Sequence, residues 1–105
     1  MREVTSKELK ELQIQGKKVL LDLYGSWCGP CKMLNPIFEK DATENKSEVQ
    51  MYSMDVDLNR EVVMSLGVRS VPTIKVFNGG EVIDTKVGVL NESQINNLVT
   101  ELING

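Results

Sequence analysis

The chain has 105 residues, 41% of them hydrophobic, with 12 basic against 15 acidic side chains and a net charge of -3. That size and apolar content fit one globular domain able to bury its own core, and they exclude a collagen-like or disordered chain. No basic run argues for nucleic acid or an anionic membrane as partner, because phosphate contacts supply most of such affinity. The absence of histidine removes Ser-His-Asp and Cys-His catalysis, Cys2His2 zinc and CxxCH haem attachment together. No 18-residue apolar stretch occurs and Met1 to Lys10 is charged, so a soluble, cytoplasmic chain is expected.

Arg2 to Val4 can add a short edge strand. Thr5 with Glu8 three residues on is a capping-box pattern, and Leu9 and Leu12 share a helical face until Gly16, which predicts a helix from Ser6 to Gln15. Lys18 to Tyr24 holds Val19, Leu20, Leu21 and Leu23, the pattern of a strand buried on both faces, with Asp22 as its one anomaly. Gly25 to Pro30 is rich in turn residues. From Cys31, Leu34, Ile37 and Phe38 recur at helical spacing to about Glu44, and Pro36 is expected to kink that helix.

Val49 to Asp55 reads as a further strand, with both faces partly apolar, and Asn59 to Leu66 as a short helix stopped by Gly67. Thr73 to Phe77 and Glu81 to Val87 are joined by Asn78, Gly79 and Gly80 and read as an antiparallel hairpin. Asn91, with Gln94 three residues later, opens an amphipathic helix carrying Ile95, Leu98, Val99, Leu102 and Ile103. This order implies an α/β protein with a mixed central sheet covered by helices on both faces. The 5 methionines read as core filler.

Chemistry concentrates at the only two cysteines, Cys28 and Cys31, in Trp27-Cys28-Gly29-Pro30-Cys31-Lys32 between a buried strand and a helix. Two intervening residues in a first helical turn place both sulfurs on one side, close enough for a disulfide. Cys28 would lie at the positive end of the helix, where unpaired amides favour a thiolate, and Cys31 further in would resolve a mixed disulfide. Other readings are weaker. A purely structural bridge over so short a loop constrains the unfolded chain little. Half of a zinc site would need ligands this chain does not supply at that point, so no metal is expected. Two inert buried cysteines fit poorly with a turn at an element boundary, where the pair should be reachable.

Asp22, six residues before Cys28, is either a solvent-facing residue on an edge strand or a buried carboxyl. In the second case desolvation raises its pKa toward the range useful for moving protons to and from Cys31, and its nearness to the dithiol favours this. Pro72 precedes a strand, where its missing donor is harmless, and taken alone it is expected to be trans. Trp27, on the turn, is expected to be half exposed.

Asp22 in its strand, Trp27 to Lys32, Pro36, Asp57, Val71-Pro72-Thr73, Gly80 and Lys86-Val87-Gly88 follow in an order that resembles the thioredoxin family over nearly the whole chain. The hexapeptide WCGPCK is a far more specific signal than a bare CxxC. The resemblance implies a thioredoxin fold: one three-layer α/β/α domain, residues 1–105, with four to five strands flanked by about four helices. It implies a protein dithiol-disulfide reductase in which Cys28 attacks, Cys31 resolves, Asp22 assists proton transfer, and Gly29 and Pro30 tune the redox pair. A cis Val71-Pro72 bond would face the dithiol, with Val71 offering backbone hydrogen bonds to an extended substrate. Trp27, Gly29, Pro30, Val56, Val71, Pro72, Val87 and Gly88 would form an apolar patch for disulfide-bearing target proteins.

The implied reductant is a thioredoxin reductase, flavin- and NADPH-dependent or ferredoxin-dependent, with no cofactor on this chain, which is expected to be monomeric. Two rival readings are a binding subunit that uses the patch without cycling its thiols, and an oxidant or isomerase of an oxidising compartment. Gly29-Pro30 and the lack of an apolar leader argue against the latter. Three departures stand out. Ser53 occupies the position where many bacterial members have a lysine facing the aspartate, which predicts a higher pKa for Asp22 than in lysine-bearing relatives. Tyr24 replaces a common Trp or Phe, and the first strand is short.

Overall fold

The computed structural model describes residues 2–105. The elements in chain order are β1 (Arg2–Glu3), α1 (Ser6–Ile14), β2 (Val19–Tyr24), α2 (Gly29–Glu44), β3 (Gln50–Asp55), α3 (Arg60–Ser65), β4 (Thr73–Asn78), β5 (Glu81–Val87) and α4 (Glu92–Asn104). The strands form one mixed sheet in the order β1-β3-β2-β4-β5. β3 runs parallel to β1 and β2, whereas β4 is antiparallel to β2 and β5. The fold is that expected from the sequence. β2 is the middle strand, which explains its unbroken apolar run: it is covered on both faces and paired on both edges.

The faces divide by residue parity along the strands. Leu20, Met51, Ile74 and Val76 join Leu34 and Phe38 of α2 and Ile95, Leu98 and Leu102 of α4 in one core. Val19, Leu21, Leu23, Met54 and Phe77 join Leu9 of α1 and Val63 of α3 in the other. Asp22 has the parity of Leu20 and so belongs to the face under α2. Capping sets the helix starts. Glu8 N–H donates to Thr5 Oγ1 (3.2 Å) while Thr5 N–H donates to Glu8 Oε1 (3.1 Å). Asn91 and Gln94 make the same reciprocal pair at α4 (2.8 and 2.9 Å). The β4–β5 turn places Gly79 and Gly80 at φ +67 and +87. A Cβ on Gly80 would also come within 2.6 Å of the Gln13 carbonyl oxygen, so this turn needs glycine for space as well as for φ.

Two expectations change. α2 begins at Gly29 rather than Cys31, because proline is tolerated in a first helical turn, where its missing N–H has no partner to lose. Of the methionines, Met51 and Met54 are buried, but Met33 and Met64 are exposed at 65% and 78%; Met1 lies outside the described residues.

Candidate active site

The site forms where the end of β2, the start of α2 and the loop before β4 converge. Gly25 accepts a hydrogen bond at its carbonyl from Cys28 N–H (3.1 Å). A Cβ on Gly25 would fall 2.7 Å from the Trp27 indole, so glycine lets the ring fold back over the turn. Cys28 is the N-cap residue of α2. Its sulfur takes the place of a capping oxygen, accepting from Cys31 N–H at 3.2 Å. Cys28 and Cys31 are joined as a disulfide with their Cα atoms 5.3 Å apart.

Both cysteines are buried, Cys28 at 4% and Cys31 at 1% exposure. The turn therefore exposes Gly29 and Pro30 but not the sulfurs, a correction to the expectation that the pair would be openly reachable. The cause is the N-cap position, which directs Cys28 Sγ inward to 3.7 Å from the Val71 carbonyl oxygen.

The Val71-Pro72 peptide is cis. This overturns the trans form expected from the residues alone and agrees with the resemblance. Pro72 is buried, so it lies under the surface, while its carbonyl accepts from Gly88 N–H at 2.9 Å. Gly88, at φ +97, holds a backbone conformation that favours glycine, and this bond ties the end of β5 to the loop before β4.

Of the other expected patch residues, Trp27 and Val87 are exposed at 67% and 64%, and Val56, Val71 and Gly88 are half-buried. Trp27, Val56, Val68, Arg69 and Val71 line a shallow cleft of about 140 Å³ beside the disulfide, which Val87 does not join. The indole is fixed by its N–H donating to Asp57 Oδ2 at 2.7 Å.

Asp22 is wholly buried, in register with Ser53 of β3 and Ile74 of β4. The solvent-facing alternative is overturned because β2 is central, with a strand on each side. Burial pushes the Asp22 carboxyl up to about 7. Its Oδ1 has no hydrogen-bond partner. Its Oδ2 accepts from the side-chain amide of Asn35 at 2.6 Å, and that amide also donates to the Cys31 carbonyl at 3.1 Å. The Tyr24 hydroxyl donates to Glu3 Oε1 at 2.7 Å, and burial together with Glu3 holds this phenol well above its usual range.

Sequence reasoning missed Asn35, the anchoring role of Asp57 and the steric need for Gly25. Only Asn35 had a usable signal, its position four residues after Cys31 on the same helical stripe. Among the described residues no cluster of three or more acidic or cysteine side chains is placed to hold a metal.

A family model described as Thioredoxin matches residues 1–101. A thioredoxin of Mycoplasmoides gallisepticum is 37% identical over 100 residues, covering 94% of this chain and 99% of that one. A thioredoxin of Haemophilus influenzae is 39% identical over 85 residues, 81% of this chain and 79% of its own. Among solved structures, a mutant thioredoxin of Halobacterium salinarum superposes with a TM-score of 0.83 at 31% identity, over 97% of this chain and 88% of that one. Thioredoxin of Malassezia sympodialis gives 0.79 at 34% identity, over 92% and 84%.

Proposed function

This chain belongs to the thioredoxin family, and on that premise we propose that it reduces disulfides of other proteins through Cys28 and Cys31. The observation that carries the reading is the sulfur of Cys28 serving as the N-cap acceptor of a 16-residue helix while bonded to its partner one turn on. The Cys31 N–H and the helix dipole stabilise a sulfur anion there, and the thiolate is the attacking species.

The reduced pair acts in two displacements. Cys28 thiolate attacks one sulfur of a target disulfide, forming a mixed disulfide and releasing the first target thiolate. Cys31 then gives its proton to Asp22 and attacks Cys28 Sγ. The bond from Cys28 to the target breaks, the second target sulfur leaves with the electron pair and is protonated, and the Cys28–Cys31 bond re-forms. The target gains two electrons from this chain; of the two protons its thiolates take up, one is that of Cys31, released again by Asp22, and the other comes from solvent, which received it when the Cys28 thiol ionised.

Trp27, Val56, Val71, Val87 and Gly88 are the contact residues in this reading, with Pro72 shaping the ground beneath them and Gly29 and Pro30 setting the poise of the pair. A thioredoxin reductase returns the disulfide to the dithiol, and the chain carries no cofactor of its own. The compartment we infer is the cytoplasm, where thiols are kept reduced. No described helix is long and apolar enough to cross a membrane.

Dithiol-driven reduction of insulin disulfides tests the proposal. The wild type is expected to accelerate it and Cys28→Ser to abolish the acceleration; equal rates would overturn it. A partner enzyme that still binds and works with both cysteines replaced by serine would favour the binding-subunit reading instead.

A further inference from the structure

The two oxygens of Asp22 stand in unequal surroundings. Asn35, half-buried on α2, lies one turn beyond Cys31, and its amide orientation is fixed by its neighbours. With nitrogen facing Asp22, one N–H donates to Oδ2 (2.6 Å) and the other to the Cys31 carbonyl (3.1 Å); the reverse orientation would set an oxygen against two acceptors. Oδ1 has no partner. In register with Asp22 are Ser53 of β3 and Ile74 of β4, and Asn35 of α2 reaches its Oδ2. On the same side of the sheet, Tyr24 and Asp55 stand next along β2 and β3, and two strands away on either side are Glu3 of β1, in register with Ser53, and Lys86 of β5, in register with Ile74; the Lys86 ammonium pairs with Asp84 at 3.5 Å. Lys75, the one buried cation among the described residues, is in register with Leu21 on the opposite face and donates to Thr85 Oγ1 at 2.9 Å.

We propose that Asn35 is a positioning residue for Asp22: its amide ties Oδ2 to the turn that carries Cys31 and leaves Oδ1 as the oxygen that exchanges the mobile proton. The donor that reaches this carboxyl is thereby a neutral amide. Its donation favours the charged carboxylate and so works against desolvation, which favours the protonated acid. It also selects the oxygen. A carboxyl already accepting at Oδ2 carries its proton on Oδ1, and the bond to the Cys31 carbonyl keeps that carboxyl in register with the resolving cysteine. The proton's destination in catalysis rests on the reductase reading above, whereas the tie itself does not.

The test is an NMR titration of reduced, isotope-labelled protein, following the Asp22 carboxyl carbon and the Asn35 side-chain amide. In wild type the Asn35 amide resonances should move with the same midpoint as the Asp22 carboxyl. Asn35→Leu, similar in volume but without a donor, should raise the Asp22 midpoint by about one pH unit, a tenfold change in acid dissociation. Asn35→Gln should recover part of that shift. The pH profile for release of a preformed mixed disulfide should move upward with the carboxyl.

An unmoved Asp22 midpoint in folded Asn35→Leu overturns the proposal. So do Asn35 amide resonances that ignore the Asp22 titration, a readout on wild type that decides the question even where the Leu variant does not fold. Failure of wild type to reduce insulin overturns the reductase reading alone, because the titration needs no target protein.

Discussion

Asp22 and Asp41 are both buried carboxylates met by an asparagine amide from elsewhere in the fold, yet they finish in opposite conditions. Asn96 of α4 donates to both oxygens of Asp41 on α2, at 2.6 and 3.0 Å. Asp41 sits near the protein surface: burial raises its pKa most, then Glu92 and Glu44, while Lys40 opposes them. Asp22 has no exposure, one oxygen served and one not, and burial alone pushing it up to about 7. The contrast teaches that burial does not by itself make a carboxyl a proton carrier. Asp41 is satisfied and serves to join α2 to α4, whereas Asp22 keeps an unserved oxygen in a dry place beside a redox pair, with a pKa near working pH.

Replacing each aspartate by asparagine should separate the two roles most strongly. Asp22→Asn keeps an acceptor for Asn35 but exchanges no proton, so resolution of the mixed disulfide should slow about 100-fold, the lower end for general acid–base assistance. Asp41→Asn should change that step less than about twofold. Stability should move the other way. The folded protein holds the Asp22 proton up to about pH 7, while an unfolded chain releases it near 3.8. Wild-type stability therefore falls as pH rises across that window and levels off above it, by on the order of 4 kcal/mol. Urea midpoints of the oxidised forms at pH 4 and pH 8 should show that loss in wild type and, in Asp22→Asn, only the part contributed by the raised Asp41 carboxyl. Parallel profiles would erase the distinction between the two carboxyls.

Asn96→Ala sharpens the comparison from the other side. It removes the amide that donates to both Asp41 oxygens and leaves a poorly solvated carboxylate, which should cost about 1 to 3 kcal/mol of stability. Insulin reduction should remain within about twofold of wild type. Chemical denaturation alongside the reduction assay checks both, and a large activity loss in a stable variant would place Asp41 in the redox machinery.

Legibility differs between the two carboxyls for a physical reason. Asp22 announces itself because a lone acid inside Val19–Tyr24 interrupts a strand that must be buried on both faces, and the dithiol follows at once in sequence. Asp41 gives no such signal, since an acid on a helix is normally solvated and its partner Asn96 is 55 residues away. Asn35 lies between these cases. Its spacing from Cys31 is readable, but its target is on another element, and an asparagine on a helix ordinarily faces water. The cis Val71-Pro72 bond was readable only through the resemblance, because local sequence favours trans. The strands, the capping boxes at Thr5 and Asn91 and the glycine turn at Gly79-Gly80 were legible because local chemistry alone decides them.

The smallest expected effect probes the surface charge around Asp41. Glu92 opens α4, where a negative side chain suits the helix N-terminus, and it lies 3.4 Å from Lys40 Nζ, with side-chain exposures of 59% for Lys40 and 48% for Glu92. Both contributions favour Glu92 modestly, while its repulsion of Asp41 works against them. Glu92→Gln should therefore change stability by no more than about 0.5 kcal/mol. It should still lower the Asp41 titration midpoint in low salt and leave Asp22 unmoved, because Asp22 owes its raised pKa to burial and not to neighbouring charge. In roughly 1 M salt, where screening acts over about 3 Å, the Asp41 difference between wild type and variant should nearly vanish. Carboxyl-carbon NMR at both salt concentrations makes the measurement. A midpoint for Asp22 that followed the Glu92 charge would mean that the field of the α2–α4 rim penetrates to the redox site, and the two carboxyls could no longer be treated as independent.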